Sequence, residues 1–170
     1  MGFALIDGHN RYRICKENNI EFTVKEKHFN TRYEVTNWII DNQLNRRSLN
    51  DNERAYLMGK KQKEEKKEHG KSRESIKSQI KAINSRVKPH SEASPVDKST
   101  ALKIAEEYNV SEKTVKNAEK YANAVDTIVT NTGVNPFQLI TGDMKASREE
   151  IKELAKKPVE KQKEIIERVE

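Results

Sequence analysis

Apolar positions along this chain recur with two different periods, and the change from one to the other divides it. Phe3 to Ile6 form a short apolar run that stops at Asp7-Gly8, after which Tyr12, Ile14 and Cys15 follow a helical spacing that ends near Asn18-Asn19. Ile20-Glu21-Phe22-Thr23-Val24 then alternates apolar with polar residues, the period of a half-buried strand. The opening segment therefore reads as strand, helix, strand. From Arg32 a helical stripe carries Val35, Trp38, Ile39 and Leu44, and Ser48-Leu49-Asn50-Asp51 supplies a break and a cap for a further helix through Ala55 and Leu57. That helix is expected to lose its apolar face after about Met58. Val87 to Lys98, with Pro89, Pro95 and several serines, has the composition of a linker. Beyond it the period is helical throughout: Thr100 to Tyr108, Ser111 to about Thr130, a short helix opened by Asn135-Pro136, one capped by Ser147, and a last with Pro158 in its first turn.

These elements predict a mainly α protein in which a small α/β unit precedes a helical domain. The expected divisions are residues 1–58, a basic helical connector and linker over 59–98, and an all-helical domain over 99–170. The balance of 35% charged to 34% hydrophobic residues suits small units joined by solvated segments better than one large globule. No apolar run approaches the roughly 20 residues of a membrane span, and the N-terminus lacks the blocks of a signal peptide, so a cytoplasmic protein is expected. The single cysteine, Cys15, fits a reducing compartment and excludes an intrachain disulfide. His9, His28, His69 and His90 have no ligand-like spacing, and no metal-binding residue is assigned.

Charge adds a partner class. The chain carries a formal +6, and Gly59 to Lys88 alone holds eleven Lys and Arg against four Glu, so the excess is local. Such a stretch could neutralise phosphates, with steep salt dependence. It could equally be a solvated helix, since Glu64 with Lys67 and Glu65 with Lys61 stand at helical spacing.

The segment TALKIAEEYNVSEKTVKNAEKY, from Thr100, has the pattern of a helix-turn-helix. Ile104, Ala105 and Tyr108 share one side of the first helix, while Val115 and Ala118 share the inner side of the second; Ala105 is small where two steeply crossing helices touch. Asn109 stands where the turn needs a left-handed backbone, Val110 plugs the corner, and Ser111 caps the next helix. The exposed face would then carry Glu112, Lys113, Lys116, Asn117 and Lys120. Ser111, Lys113, Thr114 and Asn117 are candidates for base edges in the major groove, and Lys116 and Lys120 for phosphates. An ordinary helical hairpin needs the same apolar spacing and stands as the alternative.

The stretch Ile6-Asp7-Gly8-His9-Asn10-Arg11-Tyr12-Arg13 places a glycine and several donors where a strand enters a helix, an arrangement able to hold an anion; the ordinary reading is a turn with exposed basic residues. Here the chain resembles the ParB-like family, the partition proteins and their mobile-element relatives. That family's Gly-Glu-Arg-Arg-(Trp/Tyr)-Arg box looks like Gly8, His9, Asn10, Arg11, Tyr12 and Arg13, and its Glu-Asn-x-Gln-Arg box, followed by Leu-Asn, looks like Asn42-Gln43-Leu44-Asn45-Arg46 followed by Leu49-Asn50. With the helix-turn-helix behind them, the resemblance covers roughly residues 3–57 and 99–130.

It implies a DNA-binding protein of plasmid or chromosome partition, or of mobile-element regulation, that uses CTP and Mg2+ to close a clamp on duplex DNA. On the matching positions it places Gly8, His9, Arg11 and Arg13 near the phosphates, and Asn42, Gln43 and Arg46 in the second box. His9, Asn10 and Asn42 stand where the family carries Glu, Arg and an acid. The missing carboxylates predict weaker Mg2+ binding and argue against CTP hydrolysis. The chain starts just ahead of the first box, as a truncated form or a fragment of the family's domain would. The same superfamily includes enzymes: Asp7 to Tyr12 is similar to the Asp-Gly-His-His-Arg motif of free serine kinases, in which His9 and Asp7 could act as base or metal ligand. A sulfiredoxin is excluded, because His9 stands where its cysteine would be. Finally Ile151, Leu154, Ile165, Ile166 and Val169 form a face able either to make a homodimer or to pack on the helix-turn-helix.

Overall fold

A computed structural model describes residues 4–46, 48–83, 99–141, 144 and 146–168, with the backbone alone for residues 69 and 71–83. The fold is mainly helical: α1 (His9–Glu17), α2 (Arg32–Leu44), α3 (Asp51–Ile83), α4 (Thr100–Glu107), α5 (Glu112–Thr132), α6 (Pro136–Ile140), α7 (Arg148–Ala155) and α8 (Val159–Glu167). Local chemistry sets most of the ends. Thr31 caps α2 by accepting from the Glu34 amide, and Asn50 caps α3 by accepting from the Glu53 amide while Glu53 answers to the Asn50 N–H. Ser147 and Glu150 form a reciprocal capping box on α7, Asn135 caps α6 with Pro136 behind it, and Gly133 ends α5 at φ 77°. Pro158 stands one place earlier than expected, as the N-cap of α8.

The strands expected at 3–6 and 20–24 are not formed among the described residues. Alternation specifies which face a strand would bury, but a strand exists only with a neighbour to pair with, and the described residues supply none there. Residues 20–29 are irregular and α1 buries no residue.

The core is built around α5, which packs on α3, α4, α7 and α8. Val115, Tyr121, Val125 and Ile128 are almost fully buried along it, against Ile104 of α4 and Ile151 of α7. Helix α3 runs unbroken across residue 58, where the first division was expected, and stays in the core to Gln62. Gly59 explains how. A Cβ there would lie 2.7 Å from the Ala122 Cβ and closer still to the Ala118 carbonyl, so α3 and α5 meet backbone against backbone over small residues. The buried face does not end at Met58, as the polarity of the following residues predicts: Lys61 and Gln62 continue it, and both are buried. Residues 84–98, which include the expected linker, lie outside the described residues.

Ile151, Leu154 and Ile166 are buried against α5 within the chain. The face expected either to dimerise or to pack inward is thus internal packing, with Ile165 partly buried beside it and Val169 outside the described residues.

Candidate nucleic-acid interface

Helix α4 begins at the Ser99 cap, whose hydroxyl accepts from the Leu102 amide and donates to Glu112 at 2.7 Å, linking the starts of α4 and α5. Helix α4 ends at Tyr108, and Asn109 takes φ 53°, the left-handed backbone the motif requires. The Val110 amide then donates back to the Ala105 carbonyl at 2.9 Å, and Ser111 caps α5 through the Thr114 amide. Ile104, Ala105, Val115 and Ala118 lie buried, as the spacing predicts.

Lys113, Thr114, Lys116, Asn117 and Lys120 are exposed on α5. They are not equally free. Ser111 is occupied as the cap and touches the Thr114 hydroxyl at 2.8 Å, which ties both hydroxyls locally. Lys116 pairs with Glu112 at 2.9 Å; that contact, with the Ser99 hydroxyl, holds the Glu112 carboxyl below its usual range. Lys113 and Lys120 have no ion pair among the described residues, which makes them the uncompensated charges of this face. Thr114 and Asn117 border a groove of about 400 Å3 whose walls include Asp51 and Arg54 of α3 and Arg148, Glu149 and Lys152 of α7, with Lys152 paired to Glu149. Sequence reading missed Arg54 and Arg148, because neither lies near the motif along the chain and only the packing of α3 and α7 on α5 brings them to it.

The lysines of the basic stretch whose side chains are described, Lys60 to Lys67, go elsewhere. Lys60 and Lys63 both reach Asp126 at 3.0 Å, Lys66 reaches Glu119 at 2.7 Å, and Lys67 reaches Glu64 at 2.6 Å. Lys61 does not meet Glu65; it is buried among Asp41 at 2.7 Å, Glu107 at 2.8 Å and the Tyr108 hydroxyl at 3.1 Å. Burial disfavours its charge, but those contacts outweigh burial and hold it above the ordinary lysine value. Burial and the bond to Asp41 together push the Tyr108 hydroxyl up to about 12. This cluster joins α2, α3 and α4, so the first helix of the motif is anchored by ions as well as by Ile104.

At the amino end the two boxes do meet, through Asp7. Its carboxylate accepts from Asn42 at 3.1 Å and Arg46 at 3.2 Å and lies 3.7 Å from Arg11. The Gly8 amide, with Asn42, Arg46 and Arg11 adding to it, holds the Asp7 carboxyl below its ordinary value. Gly8 has φ 77° ahead of α1, a backbone favoured by glycine. Gly8, Arg11, Asn42 and Arg46 are therefore gathered. His9 is exposed on α1, Arg13 lies 3.9 Å from Glu17, and Gln43 borders a groove of about 490 Å3 toward Phe137 of α6.

Mg2+ with a nucleoside triphosphate fits this donor set poorly. Asp7 is the one carboxylate among these residues, and it already compensates the guanidiniums that would otherwise face phosphate. No protein-family model, curated protein or solved structure matches the chain.

Proposed function

We propose that this protein binds double-stranded DNA through α4 and α5, as a ParB-like protein of partition or mobile-element regulation working in the cytoplasm. The observation that supports the reading is the turn itself: a left-handed Asn109 between two buried helix faces, followed by an α5 whose outer side presents Lys113, Thr114, Asn117 and Lys120. A left-handed residue also ends α1 at Asn19 and α5 at Gly133, as it ends many helices, so the corner supports the reading together with that exposed set and not by itself. Lys113 and Asn117 are assigned to base edges. Lys120 is assigned to phosphate, with Arg54 and Arg148 beside the groove as further phosphate donors.

The order of the two N-terminal boxes and this motif is what supports the ParB-like type. Asp7 takes the place of an external anion at the first box, so DNA binding is assigned without a CTP or phosphoryl-transfer step.

Duplex binding followed by fluorescence anisotropy at two salt concentrations tests the reading. Lys113→Ala with Lys120→Ala is expected to weaken binding, and the lost Lys120 phosphate contact to flatten the salt slope by about 0.9. Adding CTP with Mg2+ is expected to leave the affinity unchanged. Wild-type protein that fails to bind any duplex at low salt would sink the assignment.

A further inference from the structure

Six of the eight large apolar side chains exposed by the described residues fall in one stretch: Leu5, Tyr12, Ile14, Ile20, Phe22 and Val24. Val24 is 71% exposed and Ile20 52%, which is unusual for residues that alternate as a strand's inner face should. The concentration is not explained by packing among the described residues, since α1 buries nothing and residues 20–24 form no strand. Tyr12 stands edge-on against Phe22 with ring centroids 5.5 Å apart, so α1 lies over the side of the segment that Phe22 occupies. Ile20 and Val24 on the same side stay exposed, so α1 touches the alternating face only at Phe22 and leaves it without a partner among the described residues.

The sequence names that partner. We propose that residues 21–25 pair antiparallel with the same residues of a second copy, about a two-fold axis through Thr23. In this register Thr23 faces the partner's Thr23, Phe22 faces the partner's Val24, and Glu21 faces the partner's Lys25. By symmetry the last two pairs each occur twice. Hydroxyl with hydroxyl, aromatic with β-branched, and acid with base are the cross-strand pairs that stabilise antiparallel ribbons. A slip by one residue sets the apolar side of one copy against the polar side of the other, so the register is selected as well as allowed. Glu21 and Lys25 have no ion-pair partner among the described residues of their own chain. A two-stranded ribbon alone is marginal in water; here Phe22 and Val24 of both copies would share one face, with Tyr12 of α1 packed edge-on against Phe22. The pairing is independent of DNA binding and engages neither α4 nor α5.

Light scattering on the full chain tests the dimer. The wild type is expected at twice the 19.7 kDa chain mass, and Glu21→Lys, an exposed position, at the single mass with unchanged helix content by circular dichroism. Glu21→Lys combined with Lys25→Glu is expected to restore the dimer. In a Cys15→Ser background, Thr23→Cys is expected to crosslink on oxidation, whereas Glu21→Cys is not. A wild type that stays monomeric at high concentration overturns the proposal. A dimer that persists in Glu21→Lys, or a Thr23→Cys that gives no crosslink, overturns it equally.

Discussion

Asn109 is the residue on which the geometry of the helix pair turns. Its φ of 53° would be strained for a β-branched side chain, while asparagine tolerates it and glycine meets no penalty there. Asn109→Gly is therefore expected to leave the melting temperature nearly unchanged, within about 0.5 kcal/mol. Asn109→Val is expected to cost about 1–3 kcal/mol, the range of an unsupported left-handed residue. Thermal denaturation of the two variants checks this, and equal stabilities would show that the corner is not strained. The position was legible in the sequence because its requirement is local: a turn of fixed length between two helices. Lys61 was not legible. A lysine in a run of lysines reads as solvated, and nothing in its neighbours along the chain announces Asp41, Glu107 and Tyr108, which arrive from segments far away in sequence.

Helix α3 shows the same contrast at the level of elements. Its start was readable from Asn50 and Asp51, but its burial was not, because Gly59 among lysines looks like a helix weakness. In the fold that glycine is the crossing point with α5, where even a methyl group collides with the Ala118 backbone and the Ala122 side chain. Gly59→Ala should gain up to about 1 kcal/mol in an isolated helix. Here it is expected to destabilise by about 1–3 kcal/mol or more, because the helices must separate. Chemical denaturation of this variant decides between the two signs. Asp126 gives the α3–α5 contact a pH dependence. Burial raises its pKa, but Lys63, Lys60 and Tyr56 lower it further, so the folded carboxyl sits below its ordinary value. A folded pKa below the unfolded one contributes stability that is complete above the unfolded value and is lost as pH falls through the folded value. The stability difference between wild type and Asp126→Asn is thus expected to stay constant from about pH 7 to about pH 5 and to shrink below that. A difference that grows on acidification would reverse the assignment.

For the molecule as a whole, the question is which of its 33 Lys and Arg are available to a polyanion. The sequence locates the excess in the stretch after Met58, and a reading from charge density alone would put DNA there. Over the lysines of that stretch whose side chains are described, Lys60 to Lys67, the fold divides that density. Lys60, Lys61, Lys63 and Lys66 are paired with acids from α2, α4 and α5, so their charge serves the contact between helices. On α5, a less basic segment, Lys113 and Lys120 have no ion pair among the described residues. Two sets of substitutions should consequently separate stability from binding. Lys60→Gln with Lys63→Gln and Lys66→Gln is expected to lower stability by up to about 1 kcal/mol per partly exposed pair while leaving the salt slope of DNA binding unchanged. Lys113→Gln with Lys120→Gln is expected to do the reverse, with denaturation midpoints unaltered and the slope reduced by about 0.9 for each phosphate left without its lysine. Measuring both quantities on both variants is decisive, because the two roles predict opposite patterns. If the first set flattened the salt slope as much as the second, the paired lysines would be exchanging their acids for phosphate, and the interface would have to extend from α5 onto α3.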